Sequence, residues 1–268
     1  MPATILIRGA GDLASGVALR LFRAGLNVVM TELPRPWAVR RTVSFAEAIY
    51  EGQAAVEAVV GHRVEHPTDM LKVLDVLSAH QIPVVIDPDC TVSGHLHPLV
   101  IVDGRMAKQP PGLLQYSPRM FIGLGPGFVA PGNCDAVIET ERGHSMGRVI
   151  LQGAALQDTA RPDGDPRRVL RSPSEGLLES EARIGQHFEQ GDVVASVNAV
   201  PLVAPFAGIL RGLMRPGLLV RPGMKVGDID ARDDPELCRL VSDKSLAVGG
   251  GVLEAMLARP EVRARLWA

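Results

Sequence analysis

An apolar, strand-like run, Thr4-Ile5-Leu6-Ile7-Arg8, leads directly into Gly9-Ala10-Gly11-Asp12-Leu13-Ala14-Ser15-Gly16, and an amphipathic stretch from Val17 to Ala24 follows. Strand, glycine turn and helix in that order constrain the start of the chain to the opening of a βαβ unit of the dinucleotide-binding kind. Gly9 permits the tight turn and Gly11 the close approach of backbone to a pyrophosphate. Ala14 is the third small residue, where helix meets strand. N–H groups at the start of the new helix, in the turn that Asp12, Ser15 and Gly16 complete, would face the anion. A second strand, Asn27 to Thr31, ends in Glu32, about 20 residues past the loop, where an acceptor for ribose hydroxyls belongs. The same pattern also suits a plain strand–turn–helix without a ligand.

With 268 residues the chain can bury a large core and form more than one domain. A net charge of −2 implies neither a nucleic acid nor a membrane surface as partner. No run reaches transmembrane length and the N-terminus lacks a signal-peptide pattern. Cys90, Cys134 and Cys238 are far apart and form no CxxC, which fits the cytoplasm. Arginine dominates the cations, and lysine occurs only at Lys72, Lys108, Lys225 and Lys244. Where arginine is the default, a lysine can be present for its compact, titratable ammonium.

The first half alternates strands and helices. A Pro- and Arg-rich loop follows Glu32, a short helix is expected near Phe45 to Tyr50, and Ala54 to Val64 reads as one or two strands. Thr68 to His80 is helical, with Leu71, Leu74 and Leu77 spaced for one face. Pro83 to Ile86, Leu99 to Val102 and Met120 to Gly123 are buried-strand runs. These imply a Rossmann-like, doubly wound parallel sheet with ligands at the carboxyl ends of its strands. From Val149 to Asp230 turn residues recur every few positions and helix signals vanish. The expected organisation is a nucleotide-binding domain over 1–147, a β-rich domain over 148–231 and a helical segment over 232–268. The tail carries Gly249-Gly250-Gly251 before Val252 to Ala258, either a second anion-binding turn or a hinge before a packing helix.

Residues 191–230 alternate short valine-rich strands with Gly-Asp and Pro-Gly turns, like the barrel-sandwich hybrid of biotinyl and lipoyl carriers. The hairpin Asn198-Ala199-Val200-Pro201 has no lysine, and Lys225 lies beyond it, so a swinging-arm carrier is not expected. A rigid scaffold or docking module is.

Other constellations are candidates for binding or chemistry. Gly123-Leu124-Gly125-Pro126-Gly127 is a second glycine turn at a strand end, where Gly125 and Gly127 could bring N–H groups to an anion; Pro126 donates none. In Glu139-Thr140-Glu141-Arg142-Gly143-His144, Arg142 could hold a phosphate or carboxylate and His144 move a proton. The bland alternative is a surface ion pair. Lys108 follows a buried strand, and Arg40 and Arg41 could hold phosphate on the far side of a nucleotide. Asp87, Asp89, Cys90, His95 and His97 match no closed zinc set, so no metal is expected. Cys90, beside a strand end, is the thiol to test, although a small buried hydrophobe is its commoner role.

Several of these pieces together resemble one family. The residues are Arg8 to Gly16, Met30-Thr31-Glu32, Arg40-Arg41, Phe45 to Tyr50, Gly123 to Phe128 and Glu139 to His144. Arg211-Gly212-Leu213, Lys225 to Asp230, and Ser242-Asp243-Lys244 with Gly251 to Ala255 complete the set. The chain resembles the YqeB family of selenium-dependent molybdenum hydroxylase accessory proteins, related in its nucleotide-binding half to XdhC-type maturation factors. One turn departs from the pattern, with Ala160 where a glycine is expected after Thr159. The resemblance implies a maturation factor that binds a nucleotide-type ligand, such as the dinucleotide form of the molybdenum cofactor, and docks a molybdenum hydroxylase client. The alternatives are an NAD(P)-dependent oxidoreductase, with His144 or Lys108 as proton donor, and a non-catalytic scaffold. A homo-oligomer is compatible with each.

Overall fold

The computed structural model describes residues 2–109, 112, 116–156 and 165–268. The altered turn at Ala160 lies outside them. The chain divides into two compact units, each assembled from separate stretches. Unit 1 comprises Met1–Pro36, Phe45–Thr159 and Val241–Ala268; unit 2 comprises Trp37–Ser44 and Ala160–Leu240.

Unit 1 contains strands β1 (Thr4–Arg8), β2 (Asn27–Glu32), β3 (Gln53–Val56), β4 (Val59–Val64), β5 (Ile82–Ile86), β6 (Val100–Asp103), β7 (Met120–Leu124), β8 (Val129–Ala130), β9 (Ala136–Ile138), β10 (Val149–Ile150) and β11 (Gly153–Ala154). Its helices are α1 (Asp12–Arg23), α2 (Ala48–Glu51), α3 (Met70–Ser78), α4 (Ser93–Leu96), α5 (Asp243–Ala258) and α6 (Pro260–Arg263). Nine strands form one sheet in the order β10-β9-β7-β6-β1-β2-β5-β4-β3. β1 lies at its centre, parallel to both β2 and β6, which explains why Ile5, Leu6 and Ile7 form an unbroken apolar run with no exposure on either face.

Unit 2 contains β12 (Val169–Arg171), β13 (Gly176–Glu179), β14 (His187–Phe188), β15 (Val193–Val197), β16 (Val200–Val203), β17 (Gly208–Leu213), β18 (Leu219–Val220) and β19 (Lys225–Asp230). They form two four-stranded sheets, β12-β19-β17-β14 and β16-β15-β13-β18, in which all pairings are antiparallel. A shared core contains Leu178, Phe188, Val197, Leu210, Val226 and Ile229. The hairpin after β15 is a two-residue turn, with Asn198 at φ 50° and Ala199 at φ 62°, the geometry that matches strand twist.

The expectation of a Rossmann-like, doubly wound parallel sheet joined to a barrel-sandwich module is corrected by these sheets. The large sheet is mixed, because β3 pairs antiparallel with β4 and β10 with β9. Among the described residues the β6–β7 connection contains no helix, and the β5–β6 connection contains only the single turn of α4. Unit 2 is two separate antiparallel sheets with open edges. A run of short apolar strands does not encode the direction of its edge members, which the pairing decides.

Two helical readings also change. α3 is present and capped by Asp69, whose side chain accepts the Lys72 N–H. Its buried face is Val73 and Val76, however, while Leu71 and Leu74 are exposed. The Gly249-Gly250-Gly251 run is neither turn nor hinge but lies inside α5. A Cβ on Gly249 would stand 2.8 Å from Arg20 Cγ and 3.1 Å from the Gly16 carbonyl oxygen, and one on Gly251 2.1 Å from the Gly147 carbonyl oxygen. The glycines therefore keep α5 close to α1 and to the turn before β10, which offsets their poor helix propensity.

Candidate functional site

The site begins where β1 and β6 end side by side. Their register pairs Arg8 with Asp103, and each strand is followed by a glycine, Gly9 and Gly104. Asp103 is fully buried and Arg8 nearly so, and Arg8 Nη1 donates to Asp103 Oδ2 at 3.1 Å. Arg105 returns to the same carboxylate with both ends of its fork, Nε to Oδ1 at 2.9 Å and Nη2 to Oδ2 at 2.6 Å. One buried carboxylate thus anchors two guanidiniums. Arg8 Nε is buried and has no hydrogen-bond partner among the described residues, and the Arg105 side chain remains 38% exposed.

Arg105 lies over the first glycine turn. Gly9 has φ +90°, and a Cβ there would stand 3.2 Å from Arg105 Cγ. Gly11 differs. Its φ of −70° and ψ of −178° suit any residue, and nothing lies within 4 Å of the Cβ it lacks. Gly11 is the N-cap of α1, and no side chain caps that helix. The positive end of this 12-residue helix therefore has no side-chain cap, and a Cβ at its N-cap would meet nothing within 4 Å.

The remaining residues of the turn are engaged as follows. The Asp12 carboxylate accepts the Ser245 hydroxyl at 3.1 Å. Ala14 meets Gly104, where an added Cβ would stand 2.9 Å from its own. Ser15 is fully buried, donating to the Ala10 carbonyl at 3.0 Å and accepting the Phe45 N–H at 2.9 Å. Gly16 faces Ser245 of α5. Glu32 binds the turn rather than presenting two unused oxygens: Oε2 accepts the Ala10 N–H and Oε1 the Leu33 N–H, both at 2.7 Å. Burial raises its pKa above the ordinary 4.5, with these two N–H groups and the Arg105 charge pulling the other way.

The other candidates do not converge on this turn. Arg40 and Arg41 belong to unit 2, where Arg40 donates to the Leu237 and Leu240 carbonyls and Arg41 Nε to the Leu213 carbonyl at 2.7 Å. Gly125, at φ +101°, packs on Met106, and the Gly127 N–H is used by the Ala107 carbonyl. Arg142 forks onto Asp243 at 2.7 and 2.9 Å, so the ion-pair reading of that segment describes it. His144 and Lys108 are exposed. Cys90 is fully buried at φ +61°, and burial, with Asp87 and Asp103 adding to it against the Arg8 charge, pushes its thiol up to about 11. Burial and the raised pKa both disfavour the reactive thiolate. The Asp87 carboxylate holds the turn that follows β5 through the Thr91 hydroxyl and the Val92 N–H.

Arg8, Asp103 and Arg105 were not among the sequence candidates. A signal for them was present: Ile5-Leu6-Ile7-Arg8-Gly9 and Val100-Ile101-Val102-Asp103-Gly104 are apolar strands ending alike in a charge and a glycine, with opposite signs.

No family model matches the chain. The chain is 42% identical over 257 residues to the uncharacterized protein YqeB of Escherichia coli K12, covering 94% of this chain and 47% of that protein. The match supports the YqeB family, and the chain spans about half the length of this relative. Among solved structures, the chain is similar to an aspartoacylase family protein of Mesorhizobium loti (12% identity, 85% of this chain and 84% of that one, TM-score 0.28). It is also similar to the ectoine utilization protein EutE of Ruegeria pomeroyi (11%, 85% and 85%, 0.25). A succinylglutamate desuccinylase of Silicibacter sp. TM1040 gives 15% identity, 85% and 84% coverage and a TM-score of 0.24. At these scores the likeness assigns no activity to this chain.

The expectation of a maturation factor for a molybdenum hydroxylase is corrected at this point. The relative at 42% identity is not named for molybdenum, selenium or XdhC. The dinucleotide cradle behind that expectation is also not assembled. Glu32, expected to meet a ribose, is occupied by two backbone N–H groups, and Arg40, Arg41 and Arg142 are bonded elsewhere. Among the described residues, no helix is long and apolar enough to cross a membrane.

Proposed function

We propose that unit 1 binds a small anionic ligand, carrying a phosphate or carboxylate, in front of the turn that joins β1 to α1. Gly11 carries the reading. Its conformation does not require glycine and its surroundings would accept a side chain, so the missing Cβ serves to keep the uncapped end of α1 approachable. Arg105 supplies a second, charged contact at the same turn, half-exposed and aligned by Asp103. Helix N–H groups and a guanidinium together are a common way to hold an oxyanion.

Titration of the intact chain with inorganic phosphate and with small nucleotides, read by calorimetry, tests the proposal. A hydrogen bond to a charged group contributes about 1.5–3 kcal/mol, so Arg105→Met should weaken binding about 10- to 100-fold. Gly11→Val should abolish binding while lowering the melting temperature by only about 1–3 °C, because valine is a poorer N-cap than glycine. Equal affinities for wild type and both variants would overturn the proposal.

A further inference from the structure

A second cluster of cations lies within unit 2. Asp228, only 1% exposed, is contacted by three of them: Arg168 Nη2 at 2.8 Å, Lys225 Nζ at 2.9 Å and Arg211 Nη2 at 3.2 Å. Arg211 reaches Asp230 as well, but at 3.5 Å, and Arg232 already forks onto that carboxylate. Arg211 therefore holds only long bonds, and its buried Nε has no hydrogen-bond partner among the described residues. An unmet buried guanidinium N–H is costly and needs an explanation.

The backbone brings these groups together by two irregularities. The β17–β19 register shifts between Leu210 and Gly212, leaving Arg211 as the extra residue of a bulge, and the β12–β19 register shifts between Leu170 and Arg171. Bulges re-aim a side chain that regular pairing would point elsewhere. Lys225 sits on the exposed side of the cluster. Its side chain is 40% exposed, and an ammonium has three N–H donors, of which the contact to Asp228 uses one. It is one of only four lysines in a chain where arginine is the default cation.

We infer that Lys225 and Arg211, with Arg168 behind them, form a binding site for a phosphate-type oxyanion. A compact ammonium beside a planar guanidinium fork suits a tetrahedral anion better than a planar carboxylate. Asp228 sets their spacing.

The test is NMR of the full chain, reading the arginine Nε–H and lysine Nζ signals during titration with sodium phosphate, against sodium acetate and sodium chloride at matched ionic strength. The expected result is a saturable millimolar response of Arg211 and Lys225 to phosphate, weaker to acetate and absent with chloride. Lys225→Met should weaken it at least about tenfold, Lys225→Arg should restore part of it, and Gly11→Val should leave it unchanged, which separates this site from the turn after β1. An identical response to phosphate and chloride, or a response in Lys225→Met equal to wild type, would show the cluster to be only a tie between β17 and β19.

Discussion

Gly250 and Gly251 are adjacent in α5, so replacing each by alanine makes the same change in composition with opposite expected effects. Alanine gains about 1 kcal/mol over glycine in a helix interior, and the unfolded chain is affected alike in the two variants. At Gly250 nothing lies within 4 Å of the new Cβ. Gly250→Ala should therefore stabilise by about 0.5–1 kcal/mol. At Gly251 the new Cβ would stand 2.1 Å from the Gly147 carbonyl oxygen and 2.8 Å from Ile138 Cγ2, where ordinary contact begins at 3.4 Å. The obstruction is backbone and cannot turn aside, so α5 must move away by about an ångström. Overpacking of this kind costs about 1–3 kcal/mol, and a backbone obstacle places it at or above the upper end. After the propensity gain, a net loss of about 2 kcal/mol remains for Gly251→Ala. For a unit of this size that is a fall of about 4–8 °C in melting temperature, against a rise of about 1–4 °C for Gly250→Ala. Thermal and urea unfolding followed by circular dichroism would measure both. Equal stabilisation would mean that glycine does not set the spacing of α5. Equal destabilisation would mean that α5 is not helical through the run.

Three further outcomes follow from local geometry. Because burial raises the Glu32 pKa, the folded state holds this proton more tightly than the unfolded chain, so its contribution is greatest below about pH 4.5 and is lost as pH rises through the raised value; urea stability of wild type relative to Glu32→Gln, measured across that range, should fall with rising pH, and a flat difference would contradict it. Ala199 holds a left-handed conformation at φ 62° in the β15–β16 turn. Ala199→Gly should stabilise by about 1 kcal/mol in the same assay, and a loss would show that the alanine methyl makes a contact that matters. Cys90 and Cys134, both buried with thiols pushed to about 11, should resist alkylation at neutral pH until the chain is denatured, whereas rapid labelling of the native chain would place either thiol at the surface.

The candidate site was half legible. The turn from Gly9 to Gly16 was found because its parts are contiguous, and Ala14 meets Gly104 as a small residue at that place should. Arg105 was missed because it follows β6, far along the chain, and nothing local to Asp103-Gly104-Arg105 says which strand lies beside it. Arg40, Arg41 and Arg142 were candidates because they are cations, but each bonds to partners distant in sequence. The face of α3 misled because Leu71, Leu74 and Leu77 satisfy helical spacing as well as Val73 and Val76 do.

By itself the sequence determined the strands with continuous apolar runs, the β-rich texture after Val149 and the glycine turn that opens α1. Each depends on residues within one turn or one strand of each other. Tertiary structure alone decided that β3 and β10 run antiparallel to their neighbours, that a run of three glycines lies inside a helix with Gly249 and Gly251 closely packed, and that Glu32 closes the turn it was expected to serve from outside. The physical reason is common to all three. Strand direction, helix spacing and the partner of a buried carboxylate are set by groups brought close only when the chain is folded, and local propensity carries no record of them.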